Sequence, residues 1–231
     1  SFTSPWKLRW KPICASTEIE LSKWLSEKPS LGNCPRAIIA SRQNYGKGQR
    51  GRYWESPLGG VWVSAALPCV AENQSIGLFG LAVAVSFSER LEKLNIPVKI
   101  KWPNDLMVCH KKLAGFLPRL IYRGEILRFA CVGIGLNVFN AVPEGGIALA
   151  HILKPINYSL AFWTAEVLVA LERALELANE NESLCFQAEK RLWANEIIDP
   201  NTGKIWLVEG LDEKGALSVR RGRDKAVWTR W

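Results

Sequence analysis

The chain has 231 residues, enough for one sizeable domain and a small appendage, and its 48% hydrophobic and 23% charged content is that of an ordinary globular protein. A net charge of +8 points to an anionic partner or substrate and leaves nucleic acid, nucleotide and acidic protein all open. Only two histidines, His110 and His151, are present, which excludes a His-rich zinc site and makes the usual general base scarce.

In chain order, "STEIELSKWLSE" starts a helix: Thr17 and Glu20 have capping-box spacing, and Ile19, Leu21, Trp24 and Leu25 recur roughly at helical period. "RAIIAS", 36–41, is a buried strand. It leads into "QNYGKGQRGRYW", in which Gly46, Gly48 and Gly51 make a G-x-G-x-x-G pattern. A dinucleotide site would open a helix after these glycines. Here aromatics, Ser56-Pro57 and Gly59-Gly60 favour turns, and "VWVSAAL" follows as a second strand, so a Rossmann reading fails. Lys47, Arg50 and Arg52 lie among the glycines, which suits a phosphate loop; the alternative is a basic surface hairpin. A helix over 75–94 comes next. Four extended segments then read as a meander: "VKIKW", "LMVCH", "LAGFLPRLIY" and "ILRFACVGIGLNV". A helix over 159–177 and a second over "SLCFQAEKRLW" complete this part. Beyond Ile198 the chain turns to short strands, so the boundary divides 1–197 from 198–231. The expected fold class is α+β: a mostly antiparallel sheet with helices packed on it, plus a small C-terminal β module.

The cysteines at 14, 34, 69, 109, 131 and 185 form no C-x-x-C pair, which points to a reducing cytoplasm. No basic-plus-apolar leader is evident, and the longest apolar stretch, 76–87, is too short for a bilayer.

"GKGQRGRYW", "KWPNDLMV", "KKLAGFL" and "VGIGLNV", in this order and spacing, resemble the biotin protein ligases. The resemblance covers nearly the whole chain, and "KWPND" followed by "KLAG" is its most specific part. It implies the biotin/lipoate ligase catalytic fold with an SH3-like C-terminal module, shortened here. It also implies a two-step reaction. The biotin carboxylate attacks the α-phosphate of ATP to give biotinyl-5′-AMP and pyrophosphate; a lysine of the biotin carboxyl carrier protein of acetyl-CoA carboxylase then attacks the acyl-phosphate. ATP with Mg²⁺ and biotin are substrates, with no tightly bound cofactor. No protein nucleophile is needed, which fits the scarcity of histidine.

Carried over by the resemblance, Ser16, Thr17, Glu18 and Gln43 belong to the biotin site with Gly46, Lys47, Gly48, Gln49, Gly115, Gly133 and Gly135. Lys112 reaches the biotin carboxylate and α-phosphate, and with Arg50 and Arg52 forms the catalytic set. Lys47, Arg50, Arg52, Trp54, Asn104 and Asn137 face the nucleotide. Asp105 meets its Mg²⁺, while Lys101 either serves the site or pairs with Asp105. Bland readings stand beside these: Ser16 and Thr17 as a helix cap, Trp54 as core, Gly133 and Gly135 as a bulge.

Three departures from the family pattern stand out. Lys47 and Gln49 replace arginines of the common glycine-rich loop, and Glu18 puts a carboxylate where an amide is usual. The sequence opens almost directly into the catalytic part, so no DNA-binding segment or specific DNA binding is expected. A monomer or homodimer without membrane association is expected. Lipoate or another acyl-adenylate chemistry is the enzymatic alternative; a nucleic-acid-binding module using Arg220, Arg221, Arg223, Lys225 and Arg230 is the other.

Overall fold

The computed structural model describes residues 5–28, 32, 34–68, 75–155, 157–199 and 201–229. Cys69 and Arg230 lie outside the described residues. A seven-stranded sheet runs in the order β1-β2-β3-β7-β6-β5-β4. Its strands are β1 (Lys7–Lys11), β2 (Arg36–Ala40), β3 (Val61–Pro68), β4 (Lys99–Lys101), β5 (Asp105–Val108), β6 (Lys111–Arg123) and β7 (Ile126–Leu136). Only the β1–β2 pair is parallel.

Strand side chains alternate between two faces, and the faces bury different things. Val63, Ala65, Leu67, Val132 and Ile134 point into the main core with α2 (Ile76–Glu92) and α4 (Leu160–Leu177). Their neighbours Ala66, Phe129 and Cys131, with Ile38, face α1 (Thr17–Glu27) through Leu21, Trp24 and Leu25. Residue 76 onward is apolar all round because α2 is enclosed on nearly every side: its buried set runs unbroken from Gly77 to Ser88.

A second, four-stranded antiparallel sheet holds β8 (Glu196–Ile198), β9 (Ile205–Leu211), β10 (Leu217–Arg221) and β11 (Asp224–Trp228). Its Leu217 and Val219 join the main core, and α5 (Asn181–Glu189) packs against β9. Its first strand begins two residues ahead of the boundary expected at 198.

Several expectations shift. The helix N-cap is Ser16, not Thr17: the Ser16 hydroxyl accepts from the Glu18 amide at 3.3 Å. The second C-terminal helix starts inside the polar break, at Asn181, and stops at Glu189. Strand β1 and the short helix α3 (Leu149–Ile152) have no counterpart in the sequence reading. "KLRWK" carries three cations in five residues and is exposed almost throughout, so it shows none of the apolar signal of a buried strand.

Candidate active site

Helix α1 covers only part of its sheet face. Beyond its N-terminus the strands present small residues in register: Ser64 opposite Gly133 on β3 and β7, then Gly135 opposite Gly115, then Gly115 opposite Asp105. Small residues on neighbouring strands leave a hollow where side chains would otherwise stand. The 43–54 loop closes over it, forming a cavity of about 260 Å³.

One end of the cavity is polar and buried, and Glu18 is its one charged side chain. Gln43 accepts at Oε1 from the Thr17 amide (2.7 Å) and hydroxyl (3.0 Å), and its Nε2 donates to Ser56 Oγ at 2.8 Å. Thr17 Oγ1 and Ser64 Oγ are 2.7 Å apart. Ser16 therefore caps the helix while Thr17 serves the pocket, one hydroxyl for each role. Glu18 stands beside them over Gly133; its Oε2 accepts from Arg119 Nε at 2.9 Å.

The other end is cationic. Gly48 donates to the Arg52 carbonyl at 2.8 Å, pinching Gln49–Gly51 into a single turn. Arg50 takes φ 57° there, a left-handed conformation that costs a non-glycine residue about 1–3 kcal/mol. Lys47, Arg50 and Arg52 are exposed and have no ion-pair or side-chain hydrogen-bond partner among the described residues.

Between the two ends lie Lys112 and Trp54. The backbone of Lys112 donates to Gly145 and accepts from Ile147, which fixes the start of β6. Its ammonium is 2.7 Å from Asp105 Oδ1, an ion pair by distance that leaves this oxygen without a directed hydrogen bond, and 4.8 Å from the Trp54 ring centre. The indole lies on the glycine floor: a Cβ on Gly115 would come 2.8 Å from Trp54 Cζ3, and one on Gly135 would strike the same ring. Its Nε1 is buried without a partner. Trp54 is thus a wall of the pocket and not part of the core.

Most of the residues singled out from sequence converge here, but two do not line the cavity. Gly46 is behind it, where an added Cβ would collide with the Trp54 carbonyl and approach Ser56 Oγ at 2.7 Å. Asn137 spends its side chain on structure: Nδ2 donates to the Lys112 carbonyl (3.4 Å) and Oδ1 accepts from Asn140 (3.0 Å). Asn104 does line the cavity, yet its Nδ2 donates to Phe116 O at 2.7 Å and holds β6 in place. Lys101 does not pair with Asp105; its ammonium is 5.3 Å from the Trp193 ring centre, and Lys112 takes the carboxylate.

Sequence reasoning missed Ser64, Ser56 and Arg119. A serine inside the apolar strand "VWVSAAL" was the available signal for Ser64, since a fully buried hydroxyl needs a partner. Among the described residues no group of three or more His, Cys, Asp or Glu gathers to hold a metal. His110 stacks edge-on against Trp193, and His151 Nδ1 accepts from the Ala148 amide, so both histidines are structural. The C-terminal basic cluster is partly neutralised: Arg220 pairs with Glu209, Arg221 with Asp224, and Lys225 approaches Glu209. Among the described residues no helix is long and apolar enough to cross a membrane.

The bifunctional ligase/repressor BirA of Escherichia coli (strain K12) is 30% identical over 227 residues, covering 93% of this chain and 65% of that protein. The chloroplastic biotin–protein ligase 1 of Arabidopsis thaliana is 34% identical over 143 residues, 59% of this chain and 37% of the relative. This chain therefore spans less than two thirds of either relative. Among solved structures, the biotin protein ligase from Aquifex aeolicus in complex with biotin and ATP superposes with a TM-score of 0.80 at 26% identity, over 96% of this chain and 95% of that one. Residues 18–137, which hold the glycine loop, Lys112 and the glycine floor, match the biotin/lipoate A/B protein ligase family, and the chain belongs to that family.

Proposed function

We propose that this chain is a biotin protein ligase that forms biotinyl-5′-AMP from biotin and ATP and transfers biotin to a lysine of the biotin carboxyl carrier protein of acetyl-CoA carboxylase. The observation that carries this reading is the two-ended pocket: buried hydrogen-bonding groups with one carboxylate at one end, three cations without an ion-pair partner among the described residues at the other, and a lysine between them. A urea ring is neutral and needs paired donors and acceptors; Thr17, Gln43, Ser16 and Glu18 meet it. A carboxylate and a triphosphate repel one another, so the opposite end must supply positive charge.

In the first step Lys112 lies where the biotin carboxylate meets the α-phosphate, and neutralises charge as the C–O–P bond forms and pyrophosphate leaves. Asp105 holds the ammonium in position beforehand. Lys47, Arg50 and Arg52 close on the phosphates, with Gly48 and Gln49 forming the turn that carries them. Trp54 walls the reacting centre against water. In the second step the carrier lysine, as free amine, attacks the acyl carbon and AMP departs.

The single carboxylate of Asp105, already engaged by Lys112, suits Mg²⁺ only as an ion carried in by ATP, whose phosphates would supply most of its ligands. The five described cysteines are unpaired thiols, which supports a reducing, cytoplasmic setting. Incubating the protein with ATP and either biotin or lipoate, and recording pyrophosphate release and then label on a carrier domain, tests the reading. Release with biotin alone is the expected result; release with lipoate alone would move the chain to the other branch of its family.

A further inference from the structure

The polar end of the pocket is closed on itself except at one atom. Thr17, Gln43, Ser56 and Ser64 all find partners in one another. Glu18 Oε1 is buried with no hydrogen-bond partner. It rests on the cavity floor, 3.2 Å from where a Cβ of Gly133 would stand, and Gly133 has no Cβ to cover it. A buried carboxylate oxygen left unsatisfied is costly, and a ligand N–H placed there removes that cost.

The other oxygen explains why the carboxylate stays put. Arg119 Nε donates to Oε2 at 2.9 Å, and Arg119 Nη2 donates to Ser22 Oγ one turn along α1 at 3.1 Å. A guanidinium anchored at two points thus holds Oε1 against Gly133, another residue lining the cavity. The Glu18 side chain keeps only 13% of its exposure. Lys47, Arg50, Arg52, Lys101 and Lys112 are the cations lining the cavity; Lys47, Arg50 and Arg52 stand at the opposite end, and Lys112 pairs with Asp105.

We propose that Glu18 is the specificity-determining residue of the ring end: its Oε1 accepts a ring N–H of the substrate, and its charge lets the pocket take a cationic guanidino ring as well as a neutral urea. Arg119 is its positioning residue. The proposal rests on the biotin reading of the pocket and adds a selectivity that an amide at position 18 would lack, because only a carboxylate adds the attraction of opposite charges to its hydrogen bond with a cationic ring.

The test compares biotin with 2-iminobiotin, whose ring is protonated at neutral pH, by calorimetric titration of the whole chain and of Glu18→Gln/Arg119→Gln. With the guanidinium gone, no donor claims the new amide oxygen, and the amide is free to turn its carbonyl to the ring N–H. 2-Iminobiotin affinity should fall about tenfold more than biotin affinity, so the ratio of the two moves. If this pair does not fold, Glu18→Gln alone carries the comparison: Arg119 draws the amide oxygen and leaves the NH2 facing the ring, which penalises a cationic ring more than a neutral one. An unchanged ratio, with biotin still bound, overturns the role of Glu18 and leaves the ligase reading standing. No biotin binding by the unaltered chain overturns both.

Discussion

The two ends of the pocket are built on opposite principles. At the ring end Ser16, Thr17, Gln43 and Ser64 are 1%, 3%, 8% and 0% exposed, and their contacts are made before a ligand arrives, with Glu18 Oε1 alone left over. At the phosphate end Lys47, Arg50 and Arg52 are exposed on a glycine-rich turn and wait in water. A neutral ring pays little desolvation and is recognised by direction, so a rigid frame of hydrogen bonds suits it. A triphosphate is recognised by charge, which acts over several ångströms and tolerates motion. Stability and binding are therefore linked at one end and separable at the other.

Lys112→Ala cuts the hinge between the ends and should have the largest effect. A charge-assisted contact at the reacting centre is lost, about 2–3 kcal/mol or on the order of a hundredfold in adenylation rate. The protein should fold, since the Lys112 side chain is 35% exposed. Near-normal pyrophosphate release from a folded variant would remove Lys112 from the chemistry.

Gln43→Leu and Arg52→Ala set the two ends against each other. The first leaves the Thr17 amide without a partner and takes one contact each from the Thr17 and Ser56 hydroxyls, which keep Ser64 and the Trp54 carbonyl, and should cost about 1–3 kcal/mol of stability together with biotin affinity. The second should change stability by less than about 0.5 kcal/mol while weakening ATP binding, most visibly at low salt. Denaturant melts and titrations of both ligands decide it. Equal stability losses would dissolve the distinction between the ends.

Gly115→Val probes the floor that the ends share. From sequence, this glycine clears space for the ring. The structure fills that space with the Trp54 indole and, 3.2 Å from an added Cβ, Lys112 Cε. Overpacking of about 1–3 kcal/mol would push both side chains aside, so biotin affinity and adenylation should fall together. Loss of biotin affinity with an unchanged rate at saturating biotin would show that Lys112 is unaffected.

Motif residues were legible because their neighbours in sequence are their neighbours in the site. The 46–54 loop, "KWPND" and "KLAG" each form one turn or strand end, so local pattern carried them into the pocket. Partners from distant segments were not legible. Arg119 sits 101 residues from Glu18, and no local pattern ties a basic residue in a meander strand to a helix start. Asn137 misled for the converse reason: it adjoins the glycines of "GIGLN", yet one residue past β7 it turns to brace Lys112 and Asn140. Nothing local in the sequence told that α1 stops short and leaves the glycine side of the sheet open.

The smallest expected effect lies at Gln49, within the phosphate end. Gln49 opens the turn that carries Arg50, accepts from the Arg52 amide at 3.2 Å and lines the cavity, but brings no charge where the family pattern has arginine. In the proposed reaction biotinyl-5′-AMP has to stay bound until the carrier arrives, and the loop is the segment proposed to hold its phosphate. An arginine here would add a fourth cation to Lys47, Arg50 and Arg52, so part of its attraction for phosphate is offset by repulsion from its neighbours. A remaining gain of about 1–2 kcal/mol would slow escape of the intermediate by about fivefold to thirtyfold in Gln49→Arg. Stability should change little, because no residue of the turn is buried and its backbone hydrogen bonds do not depend on the side chain at 49. The dissociation rate of preformed biotinyl-5′-AMP from the two proteins, without carrier and at matched salt, is the deciding measurement. Raising the salt should narrow the difference, since the added contact is charged and near solvent. Equal rates at low salt would mean that three cations already saturate the phosphate end, and that its tolerance of motion extends to the loss of a charge.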